Sequence, residues 1–451
     1  MYYQPKKRNK KKNVLWVFWV IFLGIVGYFA AVKFELEKPS FYFTPEPRIL
    51  GKHTSFKITC EDRRSGLKEV RVELVQNNLI IPLVQRNYQR GKHLTEEYFV
   101  VESNSLGLKE GPFLLRIIIQ DYSWMPGKNK IIDEVKAIVD TRPPKISVLS
   151  QYHYINKGGS GLIIYHASEN LERTGIEVGD DWFPGYKING RRYLSFFSLP
   201  FNATDQSTAI LTSVDSAGNQ NRSFFSYTLK PKKFRSSQLD ISDDFLRKSM
   251  PYFADKESFS TEDPAEIFLK VNRDLRRENY EVIQELCLYS TEKILWSGPF
   301  LRLQNATTMA QFGDKRHYFY KGKEIDLQYH LGVDLASFEK SPVGAANRGK
   351  VVYADELGIY GNMILLDHGY GLFSLYGHLN QIDVQVGQIV EKGNNIGTTG
   401  TTGLANGDHL HFAILVSGVF VNPIEWWDAH WIQDNVNLKL GLFQEQLTGE
   451  K

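Results

Sequence analysis

The chain has 451 residues, which is too long for one compact domain and predicts two to four domains. Six Lys and Arg residues fall among the first twelve positions, and removing them leaves 48 basic against 51 acidic residues, a net charge of −3. The chain after residue 12 therefore has no excess of basic residues. This argues against a broad nucleic-acid-binding surface, and no nucleic-acid partner is expected.

The amino-terminal sequence predicts a basic cytoplasmic tail at residues 1–12 and one transmembrane helix at residues 14–32. These nineteen residues carry no charge, and a helix of that length spans roughly 28 Å, close to a bilayer's hydrocarbon core. The basic tail orients the helix so that the rest of the chain is extracytoplasmic or periplasmic, on the outside of the cytoplasmic membrane. A cleaved signal peptide is the alternative, but the apolar run is long and no A-x-A cleavage site precedes Lys33.

Residues 41–230 predict two Ig-like β-sandwich domains, at 41–140 and 143–230. Short alternating apolar runs are separated by turn-forming stretches, which is typical of sandwiches, and DTRPP at 140–144 breaks the pattern like a linker. The simplest role for these domains is a spacer. The alternative is binding to the cell wall or to a partner, and the sequence indicates no site or ligand for that.

A short helical connector is predicted at residues 231–299. Asp263 is a candidate N-cap, with Pro264 at the first helical position and Glu266 in the first turn. Apolar residues then recur at helical spacing. This segment has two possible roles. Its helices either only pack against the rest of the protein, or they also cover or regulate a site in the C-terminal domain, and the sequence does not distinguish between these roles.

Residues 300–435 predict a compact C-terminal domain built on an antiparallel β-sheet. From residue 350 onward short apolar runs alternate with glycines, which supply tight turns and positive φ at little steric cost. No long helical pattern interrupts them.

A set of histidines and one aspartate in this domain predicts a metal site. His409 and His411 stand two residues apart in a predicted strand, so their side chains point to the same face. His330 and Asp334 precede them, and His378 lies between. Paired imidazoles with a further histidine and a carboxylate are the donor types that catalytic zinc sites use.

Four motifs, in order, resemble the signature of the lysostaphin-type (LytM-like) zinc metallopeptidases. They are His-x-x-x-Asp at 330–334, Gly-Ile-Tyr-Gly-Asn at 358–362, Tyr-Gly-His-Leu at 376–379 and His-Leu-His-Phe at 409–412, and QFGD at 311–314 and VNP at 421–423 also fit. The resemblance implies one zinc ion held by His330, Asp334 and His411, with His378 and His409 as the catalytic pair. The acidic residue usual after the last motif is replaced by Ala413, which lies outside the metal set.

The implied chemistry is consistent with these residue types. Zinc with three protein ligands keeps a fourth position for water or substrate, and two histidines with one carboxylate leave a formal charge of +1. His409 is predicted to act as the base that takes the proton of the attacking water, and His378 to donate to the oxyanion. The alternative that one histidine of the pair acts both as base and as oxyanion donor stays open.

The resemblance implies a zinc metalloendopeptidase that hydrolyses peptide bonds in peptidoglycan cross-links during cell-wall remodelling, and the apolar run at 14–32 predicts that it is membrane-anchored. The alternatives are a non-catalytic scaffold or activator of other cell-wall enzymes, and an adhesin-like protein that binds through its stalk. The intact set of five residues favours the enzyme. The sequence leaves open which bond is cleaved, D-Ala to meso-diaminopimelate or a glycine-type bridge, as well as the oligomeric state and inhibition by the connector.

Overall fold

The computed structural model describes residues 10–34, 37–125, 127, 129–204 and 206–441, and it describes no side chains for residues 10–14 and 31–33. The chain divides into two compact units. The first runs up to Pro143 and includes Asp215–Asn219, and the second comprises Pro144–Val214 and the chain from Gln220 onward. Strands predominate over helices in the described residues, which confirms the prediction of a mostly β protein.

Helix α1 (Lys10–Lys33) contains the segment predicted to span the membrane. Its described side chains, from Leu15 to Ala30, are all exposed. Residues 1–9 of the predicted tail, and the side chains of residues 10–12 and of Val14, Ala31 and Val32, lie outside the described part of the chain. Among the described residues, no helix combines the length and apolar character that a membrane span requires. The anchor stays a prediction.

The first unit is built from two sheets around one hydrophobic core. Its described strands are β1 (Ser40–Thr44), β2 (Ile49–Leu50), β3 (His53–Glu61), β4 (Leu67–Gln76), β5 (Leu79–Asn87), β6 (Leu94–Glu102), β7 (Gly111–Asp121) and β8 (Lys130–Val139). They form a three-stranded sheet in the order β1-β3-β6 and a five-stranded sheet in the order β2-β8-β7-β4-β5. Alternate residues of β4 and β7 are buried, and both sheets contribute to one hydrophobic cluster. This is the layered arrangement that alternating apolar residues predict, while the Ig-like assignment stays a prediction.

Residues 144–230 also form paired sheets. The described strands are β9 (Ile146–Val148), β10 (Tyr154–Asn156), β11 (Ser160–Ala167), β12 (Leu171–Val178), β13 (Asp181–Pro184), β14 (Tyr186–Asn189), β15 (Arg192–Ser198), β16 (Ala209–Asp215), β17 (Gln220–Phe224) and β18 (Thr228–Lys230). Two four-stranded sheets have the orders β14-β15-β11-β9 and β13-β12-β16-β17, and β10 pairs with β18 in parallel.

The connector at 231–299 is helical, as predicted, and also contains a strand. Its described elements are β19 (Ser236–Asp240), α2 (Asp243–Lys256), α3 (Pro264–Lys270), a π-helical turn (Val271–Leu275) and α4 (Arg276–Leu286). Asp263 is the N-cap of α3, where its side chain accepts a hydrogen bond from the backbone N–H of Ala265, and Pro264 follows at the first position. The predicted helix start is therefore confirmed.

The C-terminal domain consists mainly of one antiparallel sheet, as predicted. Its described elements are β20 (Thr307–Ala310), β21 (Lys315–Tyr320), β22 (Lys323–Tyr329), β23 (Val333–Ala336), β24 (Pro342–Gly344), β25 (Gly349–Glu356), a 3-10 turn (Gly358–Tyr360), β26 (Asn362–Gly369), β27 (Leu372–Ile382), β28 (Ile389–Val390), β29 (Asn395–Thr399), β30 (Leu410–Val416), β31 (Val419–Val421), α5 (Pro423–Trp427), α6 (Ala429–Ile432) and a π-helical turn (Gln433–Asn437). The main sheet has the order β20-β23-β30-β27-β26-β25-β28, with β24, β29 and β31 paired beside it. A smaller sheet has the order β19-β21-β22, so the connector supplies an edge strand that runs parallel to β21.

Candidate metal centre

Neighbouring strands of the main sheet bring the predicted metal ligands together. Asp334 of β23 is paired in register with His411 of β30, and His411 is paired with Gly377 of β27. Residues paired across antiparallel strands project their side chains to the same face, so Asp334 and His411 meet. His330 lies between β22 and β23, four positions before Asp334, and its ring reaches the same point.

The three side chains converge closely. His330 Nε2 lies 2.9 Å from Asp334 Oδ1, His411 Nδ1 lies 2.9 Å from the same oxygen, and the two ring nitrogens are 3.1 Å apart. All three side chains are buried. This group has the donor types and the spacing to hold one metal ion.

The hydrogen bonds of His330 indicate which of its ring nitrogens is available to a metal ion. Its Nδ1 lies 3.0 Å from the carbonyl oxygen of Gln311, so Nδ1–H donates there and Nε2 keeps its lone pair. That lone pair faces the carboxylate of Asp334, so two acceptors oppose each other at hydrogen-bond distance. A cation between them removes the repulsion, and the residues present therefore fit a metal.

The electrostatics of the group also suit metal ligands. Burial alone raises the pKa of Asp334, but His330 and His411 outweigh it and hold the pKa of this carboxyl well below its usual range. Burial lowers the pKa of His411 to about 4, although Asp334 acts in the opposite direction. At neutral pH the aspartate is charged and His411 is neutral, as metal ligation requires.

Arg316 contacts the other oxygen of the same carboxylate. Its Nη2 donates to Asp334 Oδ2 at 2.9 Å, and both side chains are largely buried. The two oxygens of Asp334 are thus divided between a guanidinium on one side and two imidazoles on the other. A bond of this kind fixes the orientation of a metal-binding carboxylate.

His378 and His409 lie as a pair beside this group. Their ring centroids are 4.7 Å apart, and His409 Nε2 is 3.6 Å from Asp334 Oδ1. His378 Nδ1 is 2.9 Å from the carbonyl oxygen of Thr402, and His409 Nδ1 is 2.7 Å from that of Gly407. The carbonyl oxygens can only accept, so Nδ1–H donates in each ring, and a ring in its neutral form keeps a lone pair on Nε2. Burial, and then the neighbouring imidazoles, hold the pKa of His378 well below its usual range.

Two glycines make this geometry possible. A Cβ at Gly332 would lie 2.5 Å from both Cε1 and Nε2 of His411, so any side chain there would displace the ring. Gly361 has a φ of +60°, and a Cβ there would lie 2.4 Å from the backbone carbonyl carbon of Thr402. The close approach of these loops positions the carbonyl that accepts the hydrogen bond of His378.

A cavity of about 500 Å³ opens onto the five side chains. Its walls also include residues 237–242 of the connector, Phe245 of α2, Phe268 of α3 and Arg276 of α4. A cavity of this size accommodates a segment of a peptide. The connector therefore forms part of the wall of the site.

A sequence profile described as Peptidase family M23 matches residues 328–423. The chain contains a peptidase family M23 domain. Two similar curated proteins are the DD-carboxypeptidase/endopeptidase Mpg of Neisseria meningitidis serogroup B, 36% identical over 95 residues, and the peptidoglycan DD-endopeptidase ShyA of Vibrio cholerae, 36% identical over 96 residues. Each match covers 21% of this chain and 22% of the relative, so the chain spans about a fifth of the length of these relatives.

A solved structure similar to the M23 domain is the catalytic domain of the antimicrobial peptidase lysostaphin from Staphylococcus simulans. It is 30% identical, covers 28% of this chain and 94% of that one, and superposes with a TM-score of 0.24. The predicted resemblance to lysostaphin-type peptidases is confirmed by the family match. Because family M23 consists of zinc metallopeptidases, the predicted zinc cofactor is confirmed as well.

The structure brings all five predicted site residues of the M23 domain into one cavity. Their individual roles as ligands and catalysts stay predictions. His368 lies elsewhere, fully buried, with Nδ1 2.8 Å from the carbonyl oxygen of Arg348 and Nε2 2.7 Å from Ser374 Oγ. Its ring has two partners and contributes to the core.

Sequence reasoning missed two contributors to the site, Arg316 and Thr402. Arg316 lies two positions after the QFGD stretch, and its nearness to that motif could have marked it as a candidate site residue. A single arginine in a strand is usually a surface residue, however, so its type alone gave no reason to select it. Thr402 contributes its backbone carbonyl, which every residue possesses, so no sequence signal for that role exists.

Proposed function

We propose that this chain is a membrane-anchored zinc metalloendopeptidase that hydrolyses peptide bonds in peptidoglycan cross-links. The observation that carries the proposal is the convergence of His330, Asp334 and His411 beside the pair His378 and His409 in one cavity. A relative that matches the M23 domain is named a peptidoglycan DD-endopeptidase, which supports peptidoglycan as the substrate.

The proposed location is the outer face of the cytoplasmic membrane, with a single span at residues 14–32. The uncharged run of nineteen residues behind a basic tail supports it. We assign the Ig-like regions at 41–140 and 143–230 the role of a spacer between that span and the M23 domain. Paired sheets in both regions support this assignment.

The proposed ligands are His330 through Nε2, Asp334 through Oδ1 and His411 through Nδ1, the three atoms that converge. A zinc ion bound there supplies a Lewis acid that polarises a peptide carbonyl and acidifies water. Arg316 holds the carboxylate in place from its other side. Burial of all three side chains limits competition from bulk water for their ligand atoms.

His409 is the proposed general base. Its Nδ1–H is held by the carbonyl of Gly407, so its free Nε2 takes the proton of the attacking water and delivers it to the leaving amine. His378 is the proposed donor to the oxyanion of the substrate. Its Nδ1–H donates to Thr402 and its lowered pKa leaves Nε2 unprotonated, so Nε2 becomes a donor only after it has taken up a proton during the reaction.

The full chain, purified in detergent, tests the proposal when zinc content and the release of soluble muropeptides from peptidoglycan sacculi are both measured. We expect His411→Ala to lose zinc and hydrolysis. We expect His409→Ala to keep zinc and to lose hydrolysis by roughly 10²–10⁴-fold, the usual contribution of a general base. The matched control is His317→Ala, because His317 lies on β21, contacts Glu324 and does not line the cavity.

Wild-type protein that binds zinc and sacculi but releases no muropeptide would contradict the enzyme and favour the scaffold. Loss of zinc in His409→Ala, or its retention in His411→Ala, would overturn the assignment of ligand and base. A change in His317→Ala would show that the readout reports general damage to the fold.

A further inference from the structure

Arg276, on helix α4, lines the metal cavity and lies outside the residues that match family M23. Its Nε donates to the carbonyl oxygen of Asn272 at 3.1 Å, and its Nη2 donates to Asn272 Oδ1 at 2.7 Å. Asn272 is fully buried and donates in turn to Asp326 Oδ2 at 2.7 Å. Within the described part of the chain Arg276 forms no ion pair, so its charge is fixed in place without a carboxylate partner.

Helix α4 is hydrogen-bonded directly to the 3-10 turn at Gly358–Tyr360, which lies next to the proposed metal ligands. Asn279 Oδ1 accepts a hydrogen bond of 2.8 Å from the backbone N–H of Ile359, and a Cβ at Gly358 would lie 2.3 Å from the same oxygen. The next residue of the turn, Tyr360, packs on His411 with ring centroids 5.6 Å apart. The turn therefore links the start of α4 to a proposed zinc ligand.

The charges that line the cavity favour an anionic ligand. Three arginines and three aspartates line it: Arg235, Arg276, Arg316, Asp240, Asp314 and Asp334. They cancel formally, and Arg316 is already paired with Asp334, so a bound zinc ion adds two positive charges to a cavity that is otherwise neutral. A planar guanidinium with remaining donors binds carboxylates through paired hydrogen bonds.

We propose that Arg276 forms a carboxylate-binding subsite of the metal cavity and recognises a free carboxylate on the peptide near the bond that is cleaved. This inference rests on the proposed function. Peptidoglycan peptides contain such carboxylates on their acidic residues and at their carboxyl ends. Arg276 is then a specificity-determining residue supplied by the connector, and the isolated residues 300–435 lack it.

The test is the equilibrium binding of one pair of probes to the zinc-loaded full chain carrying His409→Ala, which prevents turnover. The probes are soluble cross-linked muropeptide dimers, either native or with their carboxylates converted to amides by carbodiimide and ammonium. We expect the native dimers to bind about ten- to a hundredfold more tightly by calorimetry, the usual range for a charge-assisted hydrogen bond.

Substitutions in the same background then assign the preference to one side chain. Arg276→Met is expected to remove the difference between native and amidated dimers, and Arg276→Lys to restore part of it. The matched control is Arg277→Met, which removes an equal charge one position away. Arg277 is mostly exposed and pairs with Asp274 at 3.5 Å on the helix surface, so the preference should persist.

Equal affinity of the unsubstituted Arg276 protein for both probes, or no binding of native dimers, overturns the subsite. Equal weakening of both probes by Arg276→Met shows a structural role and also overturns it. Should Arg276→Met fail to fold, the comparison of the two probes and the Arg276→Lys variant still decide. Muropeptide release without any carboxylate preference refutes the subsite alone, whereas a preference without release refutes only the proposed hydrolysis.

Discussion

The histidines of the first unit and those of the M23 domain occupy opposite environments. The side chain of His53 is 64% exposed and pairs with the exposed Glu102 on a sheet surface. The side chains of His330 and His411 are only 4% and 7% exposed and face a buried carboxylate. An exposed imidazole keeps its contact with water, whereas burial of several polar groups is costly unless something binds them. A buried carboxylate shared by several imidazoles, rather than burial alone, separates the site from ordinary histidines, since the fully buried His368 has only a carbonyl and a hydroxyl as partners.

Charge pairs in the two regions differ in the same way. In the first unit Arg116 and Glu134 contact each other at 3.0 Å on the surface of the five-stranded sheet, with side chains 31% and 43% exposed. In the M23 domain the pair Arg316 and Asp334 is 21% and 12% exposed. Surface pairs contribute little to stability, while a buried pair fixes one geometry. Arg316 therefore belongs to the machinery that orients Asp334.

Among changes that leave the five site residues intact, the largest effect should come from crowding the buried histidines. Gly332→Ala places a methyl group against the ring of His411, where a Cβ would lie 2.5 Å away. We expect zinc affinity and muropeptide release to fall by roughly 10–100-fold, as for changes that misorient a ligand. Competition with a chelator measures the affinity.

The control for that variant is Gly441→Ala, because a Cβ at Gly441 would meet no atom within 4 Å. Unchanged zinc affinity in Gly332→Ala would mean that the turn at 330–334 adjusts freely. The geometry of the site would then not depend on glycine at this position.

A smaller effect, on the pH dependence of stability, is expected at Glu425, whose buried carboxyl group lies away from the proposed metal site. Its Oε1 accepts from Asn156 Nδ2 at 2.7 Å and its Oε2 from the backbone N–H of Ser160 at 2.8 Å, yet burial raises its pKa to about 7. A raised pKa stabilises the folded protein below the unfolded pKa, about 4.5, and this stabilisation is lost as the pH rises through 7. Glu425→Gln should remove that dependence.

The pH dependence of the unfolding free energy is measured by urea unfolding of the wild type and Glu425→Gln at pH 5 and pH 8, with tryptophan fluorescence as the signal. Between these pH values the wild type should lose on the order of 2–3 kcal/mol more unfolding free energy than Glu425→Gln. The exposed residue Glu339 provides the control Glu339→Gln. Parallel pH profiles for wild type and Glu425→Gln would show that Glu425 does not keep its proton in the folded state.

The smallest effect is predicted in the first unit. His53→Ala removes an exposed imidazole that is paired only at the surface. Zinc content and muropeptide release should match the wild type in the same assays. A loss of either would break the contrast between exposed and buried histidines, because it would give a surface histidine a part in the site.

The sequence by itself determined the strand-rich character of the chain, the start of α3 and the five residues of the site. Alternation along strands and capping at Asp263 are local properties, and they can be predicted from sequence because neighbouring residues determine them. The residues of the site were recognisable because His330 and Asp334, or His409 and His411, are close in sequence and lie in motifs.

Only the tertiary structure decided how these motifs combine. Asp334 and His411 are 77 positions apart, and the pairing of β23 with β30 brings them within 2.9 Å. The carbonyl that fixes His378, the guanidinium that orients Asp334 and the position of Arg276 in the cavity wall depend on the same long-range packing. Local spacing carries no information about such contacts, because they form only when distant strands and helices pack around one core.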